Sequence, residues 1–135
     1  MQVLVTGAFG NIGSAVVKEL LRQGHHVRAF DLHSARTEAA ARKLKGALEI
    51  CWGDMRRPAD LQQVVQGQEA VIHLAAVIPP RSNTQPELAR QVNVEGTRSL
   101  IQACQALPSP PRFLLASTLA LFGYTQKQAP PRRLS

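Results

Sequence analysis

Two periods of hydrophobicity alternate along the chain. Short, mostly apolar runs recur at Val3-Leu4-Val5, Val27 to Phe30, Ala47 to Trp52, Glu69 to Ala76 and Phe113 to Ala116. Each is short and rich in β-branched, aromatic or leucine side chains, which predicts a strand, the first of them buried. Between them apolar residues return at helical spacing. Ile12, Val16 and Leu20 make one row with Val17 and Leu21 beside it, predicting a helix from about Asn11 to Gln23 that Gly24 stops. A second helix is predicted over Ala35 to Lys45 with Ser34 as its N-cap, and a third from Pro58 to about Gln66, stopped by Gly67. The longest runs from about Glu87 to Ala106, with Gly96 allowing close approach, until Pro108 to Pro111 break it.

Strands alternating with helices imply a parallel sheet, because each strand must return to the same end before the next begins. Right-handed crossovers with one reversal at the first strand give an α/β, doubly wound sheet of five strands in the order 3-2-1-4-5. The first two helices then cover one face and the next two the other.

A chain of 135 residues is the size of one domain, and 44% hydrophobic with 19% charged residues is ordinary for a globular protein. The net charge of +7 changes little, since the basic residues are spread along the chain and the few aromatic residues offer no stacking platform. Nucleic acid is therefore not expected, and the excess suits attraction of an anionic ligand. The first apolar run is too short to span a bilayer and has no charged segment before it, so no membrane association and a cytoplasmic location are expected. Cys51 and Cys104 lack metal-ligand spacing and read as reduced core residues, as Trp52 reads as core. His25 and His26 have no third ligand nearby and read as loop histidines.

Candidate chemistry gathers at the ends of the strands. After the first comes Thr6-Gly7-Ala8-Phe9-Gly10-Asn11-Ile12-Gly13, a glycine turn leading into a helix. Glycine lets the backbone approach a pyrophosphate and the helix start offers free N–H groups, so Gly7, Phe9, Gly10, Asn11, Ile12 and Gly13 are candidate cofactor contacts. Asp31 ends the second strand, where a carboxylate can accept hydrogen bonds from an adenine ribose; its alternative role is a helix N-cap, for which Ser34 is better suited. A carboxylate there repels a 2′-phosphate, which favours NAD over NADP, although His33 and Arg36 follow closely and could reach a phosphate. After the third strand, Asp54 could accept from the adenine amino group while Met55 offers its backbone or packs on the base; a simple Asp turn is the alternative. Leu74, Ala75 and Ala76 end the fourth strand, where the alanines leave room for a cofactor lying across the sheet. His73 reads as a satisfied core histidine rather than a catalyst. The loop from Val77 to Pro86 is placed to border a substrate pocket. Asn93 either ties its helix to the strand ends or faces solvent. Ser117 and Thr118 bring hydroxyls to the end of the fifth strand.

Together Thr6-Gly7-x-x-Gly10-x-x-Gly13, Asp31, Gly53-Asp54-Met55, His73-Leu74-Ala75-Ala76, Asn93-Val94-Glu95-Gly96-Thr97 and Arg112-Phe113 through Ser117-Thr118-x-x-x-Phe122-Gly123 resemble the extended short-chain dehydrogenase/reductases, the NAD-dependent epimerases/dehydratases. The resemblance implies a Rossmann-like NAD-binding domain over residues 1–123, with 124–135 as an irregular tail, and Asn93 among the cofactor-site residues. It also implies hydride transfer at C4 of nicotinamide and a Ser/Thr-Tyr-Lys set acting on an alcohol or carbonyl such as a sugar nucleotide or steroid. The family hydroxyl falls on Thr118, with Ser117 as its neighbour. Tyr124-Thr125-Gln126-Lys127 has the wrong spacing for the family's Tyr-x-x-x-Lys. The chain is thus expected to be the amino-terminal cofactor part of an oxidoreductase, epimerase or dehydratase, inactive alone, with a homodimer open to the full-length form. The alternative is a non-catalytic dinucleotide-binding module.

Overall fold

The computed structural model describes residues 1–44 and 46–118. Its centre is β1 (Gln2–Thr6), paired in parallel on one side with β2 (His26–Asp31) and on the other with β4 (Ala70–His73). β3 (Leu48–Trp52) extends the sheet beyond β2 and β5 (Arg112–Leu115) extends it beyond β4, giving the order β3-β2-β1-β4-β5. This is the expected Rossmann-like arrangement. A central strand covered on both faces is apolar on both, and Val3, Leu4 and Val5 are all buried.

The alternation of β1 divides the core. Val3 and Val5 face a layer that includes Val17 of α1 (Asn11–Arg22) and Ala41 of α2 (Ala35–Ala41). Leu4 faces the other, with Leu61 of α3 (Pro58–Val64) and Leu100. Full burial of a leucine stabilises by about 1.5–3 kcal/mol, so Leu4, Leu61 and Leu100 anchor this layer. α2 starts at a capping box in which Ser34 Oγ accepts from the Thr37 N–H and Thr37 Oγ1 accepts from the Ser34 N–H. Gly24 and Gly67 end their helices with φ near 79° and 71°.

Several expectations are corrected. The Val77–Pro86 loop contains a short helix, α4 (Arg81–Thr84). The long helix is three pieces: α5 (Pro86–Arg90), a π-helical segment (Gln91–Gly96) and α6 (Thr97–Gln105). Its Gly96 does permit close approach, since a Cβ there would stand 2.9 Å from the Met55 carbonyl oxygen. β4 stops at His73 rather than Ala76, because Gly7 turns β1 away after Thr6 and leaves β4 no strand to pair with on that side. Ile12 is 69% exposed: it stands in the first turn of α1, past the end of β1 and clear of the sheet's core among the described residues. Trp52 is 37% exposed and Cys51 half-buried, because β3 is the edge strand of the sheet among the described residues. Phe122, Gly123 and the 124–135 tail lie outside the described residues.

Candidate functional site

Parallel strands bring their carboxyl ends to one edge, and that edge collects the Gly7–Gly13 loop, Asp31, Asp54, Leu74 to Ala76 and Ser117-Thr118. The loop's three glycines serve different purposes. Gly7 has φ of 65°, and a Cβ on it would lie 2.8 Å from the Ala75 nitrogen. A Cβ on Gly13 would lie 2.0 Å from the Gly7 carbonyl oxygen. Both are demanded by the chain's own packing. Gly10 is not: its backbone is extended (φ −72°, ψ 176°), and a Cβ would meet only the Gly7 oxygen at 3.4 Å. Among the described residues the space beside Gly10 is open, as a closely approaching pyrophosphate requires. α1 begins here without a side-chain cap and without an acidic residue in its first turn, so its leading N–H groups, from Asn11 onward, remain available to an anion.

Asp31 reaches into this loop. Its Oδ2 accepts from the Phe9 N–H at 2.9 Å and its Oδ1 from the Leu32 N–H at 2.8 Å. Burial pushes its carboxyl above the ordinary value, while these two bonds and the attraction of Arg36 pull the other way. Each carboxylate oxygen has more than one acceptor site, so ribose hydroxyls could still be accepted. The N-cap alternative is closed, since Ser34 caps α2. His33 points to Trp52, with ring centroids 5.0 Å apart, and its Nε2 lies 3.7 Å from Glu38 Oε2.

After β3 the chemistry is already engaged. Asp54 accepts from the backbone N–H and the guanidinium of Arg56, whose hydrogen bonds hold its carboxyl below the usual range. The Met55 side chain enters the core, so of its two expected roles packing on a base is closed.

At the end of β4, His73 is buried, with Nδ1 2.6 Å from Thr6 Oγ1 and Nε2 2.8 Å from Thr97 Oγ1. Burial alone lowers its pKa to about 4, as expected of a satisfied core histidine. Thr6 Oγ1 accepts from the Leu74 and Ala75 N–H groups, which fixes the segment against Gly7. Asn93, in the π-helical segment, resolves to the structural alternative: its Oδ1 accepts from the Val77 N–H at 2.7 Å and its Nδ2 donates to the Val77 oxygen at 2.9 Å. Ser117 and Thr118 follow β5 and are exposed.

Sequence reasoning missed Thr6 and Thr97 as partners of His73. The signals were present: a lone hydroxyl closing an apolar strand, and a threonine one helical turn after Asn93. It also missed the contact of Trp52 with Phe9, whose centroids are 5.2 Å apart. Among the described residues no His/Cys/Asp/Glu group could hold a metal, and no helix is long and apolar enough to cross a membrane.

The model of the NAD dependent epimerase/dehydratase family matches residues 3–134. D-erythronate dehydrogenase of Cupriavidus necator is 31% identical over 97% of this chain and 42% of its own length. A 3-beta-hydroxysteroid dehydrogenase of Mycolicibacterium neoaurum is 37% identical over 77% of the chain and 28% of its own length. The crystal structure of UDP-glucose-4-epimerase from Stenotrophomonas maltophila, with bound NAD and formylated UDP-arabinopyranose, superposes with a TM-score of 0.81 at 29% identity, covering 97% of this chain and 40% of that one. The chain spans less than half the length of each.

Proposed function

The chain belongs to the NAD dependent epimerase/dehydratase family, and we propose that it is the cofactor-binding part of an NAD-dependent oxidoreductase or epimerase acting on an alcohol or carbonyl. The observation that carries this reading is the contrast among the glycines: Gly7 and Gly13 are required by packing, whereas Gly10, at the uncapped start of α1, borders open space among the described residues. The donor and acceptor set suits a dinucleotide. Gly10 and the uncapped start of α1 would receive the pyrophosphate, and Asp31 would accept from the adenine ribose. Ala75 and Ala76 would leave room across the sheet, with Asn93 holding the adjoining Val77 segment in place.

Bound NAD supplies reversible hydride transfer at C4 of its nicotinamide. Near the reacting carbon the chain would contribute the Thr118 hydroxyl, with Ser117 beside it, to hydrogen-bond a substrate oxygen as negative charge develops on it. The named relatives include a steroid and a sugar-nucleotide enzyme, so either class suits the substrate. Calorimetric titration of the purified chain with NADH tests the reading: saturable 1:1 binding supports it, and no heat of binding in a folded sample refutes it.

A further inference from the structure

Trp52 is the chain's one tryptophan, and it stands at the end of β3 directly opposite Asp31 in the strand register. Being 37% exposed, it is not a core residue. Instead it joins two parts of the ribose end. On one side its ring meets Phe9, whose N–H is bonded to Asp31. On the other it meets the His33 ring edge-on at 5.0 Å, and the Nε2 of that imidazole lies 3.7 Å from Glu38 Oε2. His33 thus sits between an indole and a carboxylate, two residues beyond Asp31, and has no part in the Ser34–Thr37 capping box.

We propose that Trp52 is a positioning residue for cofactor discrimination: it holds His33 in the Glu38 direction, so that Asp31 reads the ribose and the imidazole is withheld from a 2′-phosphate. NAD and NADP differ by that one phosphate ester. A phosphate beside Asp31 is repelled unless cations offset the carboxylate, and Arg36 is near enough to draw Asp31's pKa down. A released His33 would add its N–H to the guanidinium of Arg36 as a donor to that phosphate, and hydrogen bonds to an ionised phosphate are the strong ones that offset the carboxylate's repulsion. With Trp52 in place, one of the two is directed elsewhere. The inference rests on the dinucleotide-binding reading proposed above.

Calorimetric titrations with NADH and with NADPH test it. Trp52→Ala should raise the NADPH-to-NADH affinity ratio about two- to tenfold, the span that loss of one aromatic contact carries. Trp52→Phe, which keeps a ring beside His33, should hold the ratio of the unmodified chain. The double variant Trp52→Ala, His33→Ala should return the ratio to that value, which a merely structural role for Trp52 would not do. Trp52→Leu keeps apolar cover over Phe9 and decides the question in the same way should the alanine variant fail to fold. An unchanged ratio in the folded alanine or leucine variant overturns the proposal, as does a rise that persists without His33. Failure of the unmodified chain to bind either cofactor would instead overturn the dinucleotide reading, and this inference with it.

Discussion

His73 and Thr6, at the ends of neighbouring strands, are joined by a 2.6 Å bond between Nδ1 and Oγ1 whose direction is set by everything around it. Thr97 donates its hydroxyl proton to the Asn93 carbonyl, so its oxygen accepts from His73 Nε2–H. Nδ1 must then be the acceptor and Thr6 the donor. Thr6 Oγ1 in turn receives the Leu74 and Ala75 N–H groups. The neutral Nε2–H tautomer satisfies every member of the chain, and a proton on Nδ1 would set two donors against each other.

This gives a pH dependence of stability. The folded pKa of His73, about 4, lies below its ordinary value of 6.5, so the unfolded chain binds the proton more readily. Stability therefore rises with pH between those values and is lost as pH falls through them. Between pH 7 and 5 the expected loss is about 2 kcal/mol. Urea unfolding at both pH values measures it, and His73→Asn should flatten the dependence.

The two outer glycines and the middle one should separate under mutation. Gly13→Ala forces a Cβ to 2.0 Å from the Gly7 oxygen and should destabilise by several kcal/mol, about the scale of overpacking or more. Gly10→Val should fold, as its backbone conformation suits any residue, yet lose NADH binding. Circular dichroism paired with calorimetry reads fold and affinity apart. A folded Gly10→Val variant with undiminished affinity would remove the phosphate cradle.

Asp31→Ala should narrow the preference for NADH over NADPH, since the repulsion of a 2′-phosphate disappears with the carboxylate. It should also lower stability by about 1–3 kcal/mol, because the Phe9 N–H loses its acceptor. Fluorescence titration of both reduced cofactors and thermal unfolding follow the two effects. A preference that survives unchanged would assign discrimination to other residues.

The 135-residue chain should bind cofactor without turning over at ordinary enzyme rates. General acid–base help is worth about 10²–10⁴-fold, and a threonine hydroxyl alone is a poor base near neutral pH. Absorbance of NADH, followed with NAD and a panel of alcohols and sugar nucleotides, measures it. Fast turnover abolished by Thr118→Ala would show that the chain carries its own proton-transfer group, with Tyr124 and Lys127 the first to test.

The legible parts of the site were those where one residue type answers one backbone demand. Gly7, Gly10 and Gly13 were found together by spacing, but spacing could not say that two of them serve packing and one serves open space. Asp31 was placed by its position at a strand end, yet its bond to the Phe9 N–H joins residues far apart in sequence. Asn93 was left open between two roles because a polar residue in an apolar helix has the same pattern in both. The Val77 backbone, reached across a turn, chose between them.

What the sequence determined by itself was the alternation of strands with helical segments and the order of the sheet. Short apolar runs, helical rows between them and right-handed crossovers leave few other topologies, since local periodicity and chain connectivity act before any tertiary contact. Tertiary structure alone decided where exposure and polar pairing fall. Ile12 and Trp52 have the composition of core residues, and only their places at the start of a helix and on an edge strand leave them uncovered. The π-helical turn, the early end of β4 and the Thr6–His73–Thr97 chain likewise depend on groups brought together from distant segments, whose hydrogen bonds exist only once the sheet has formed.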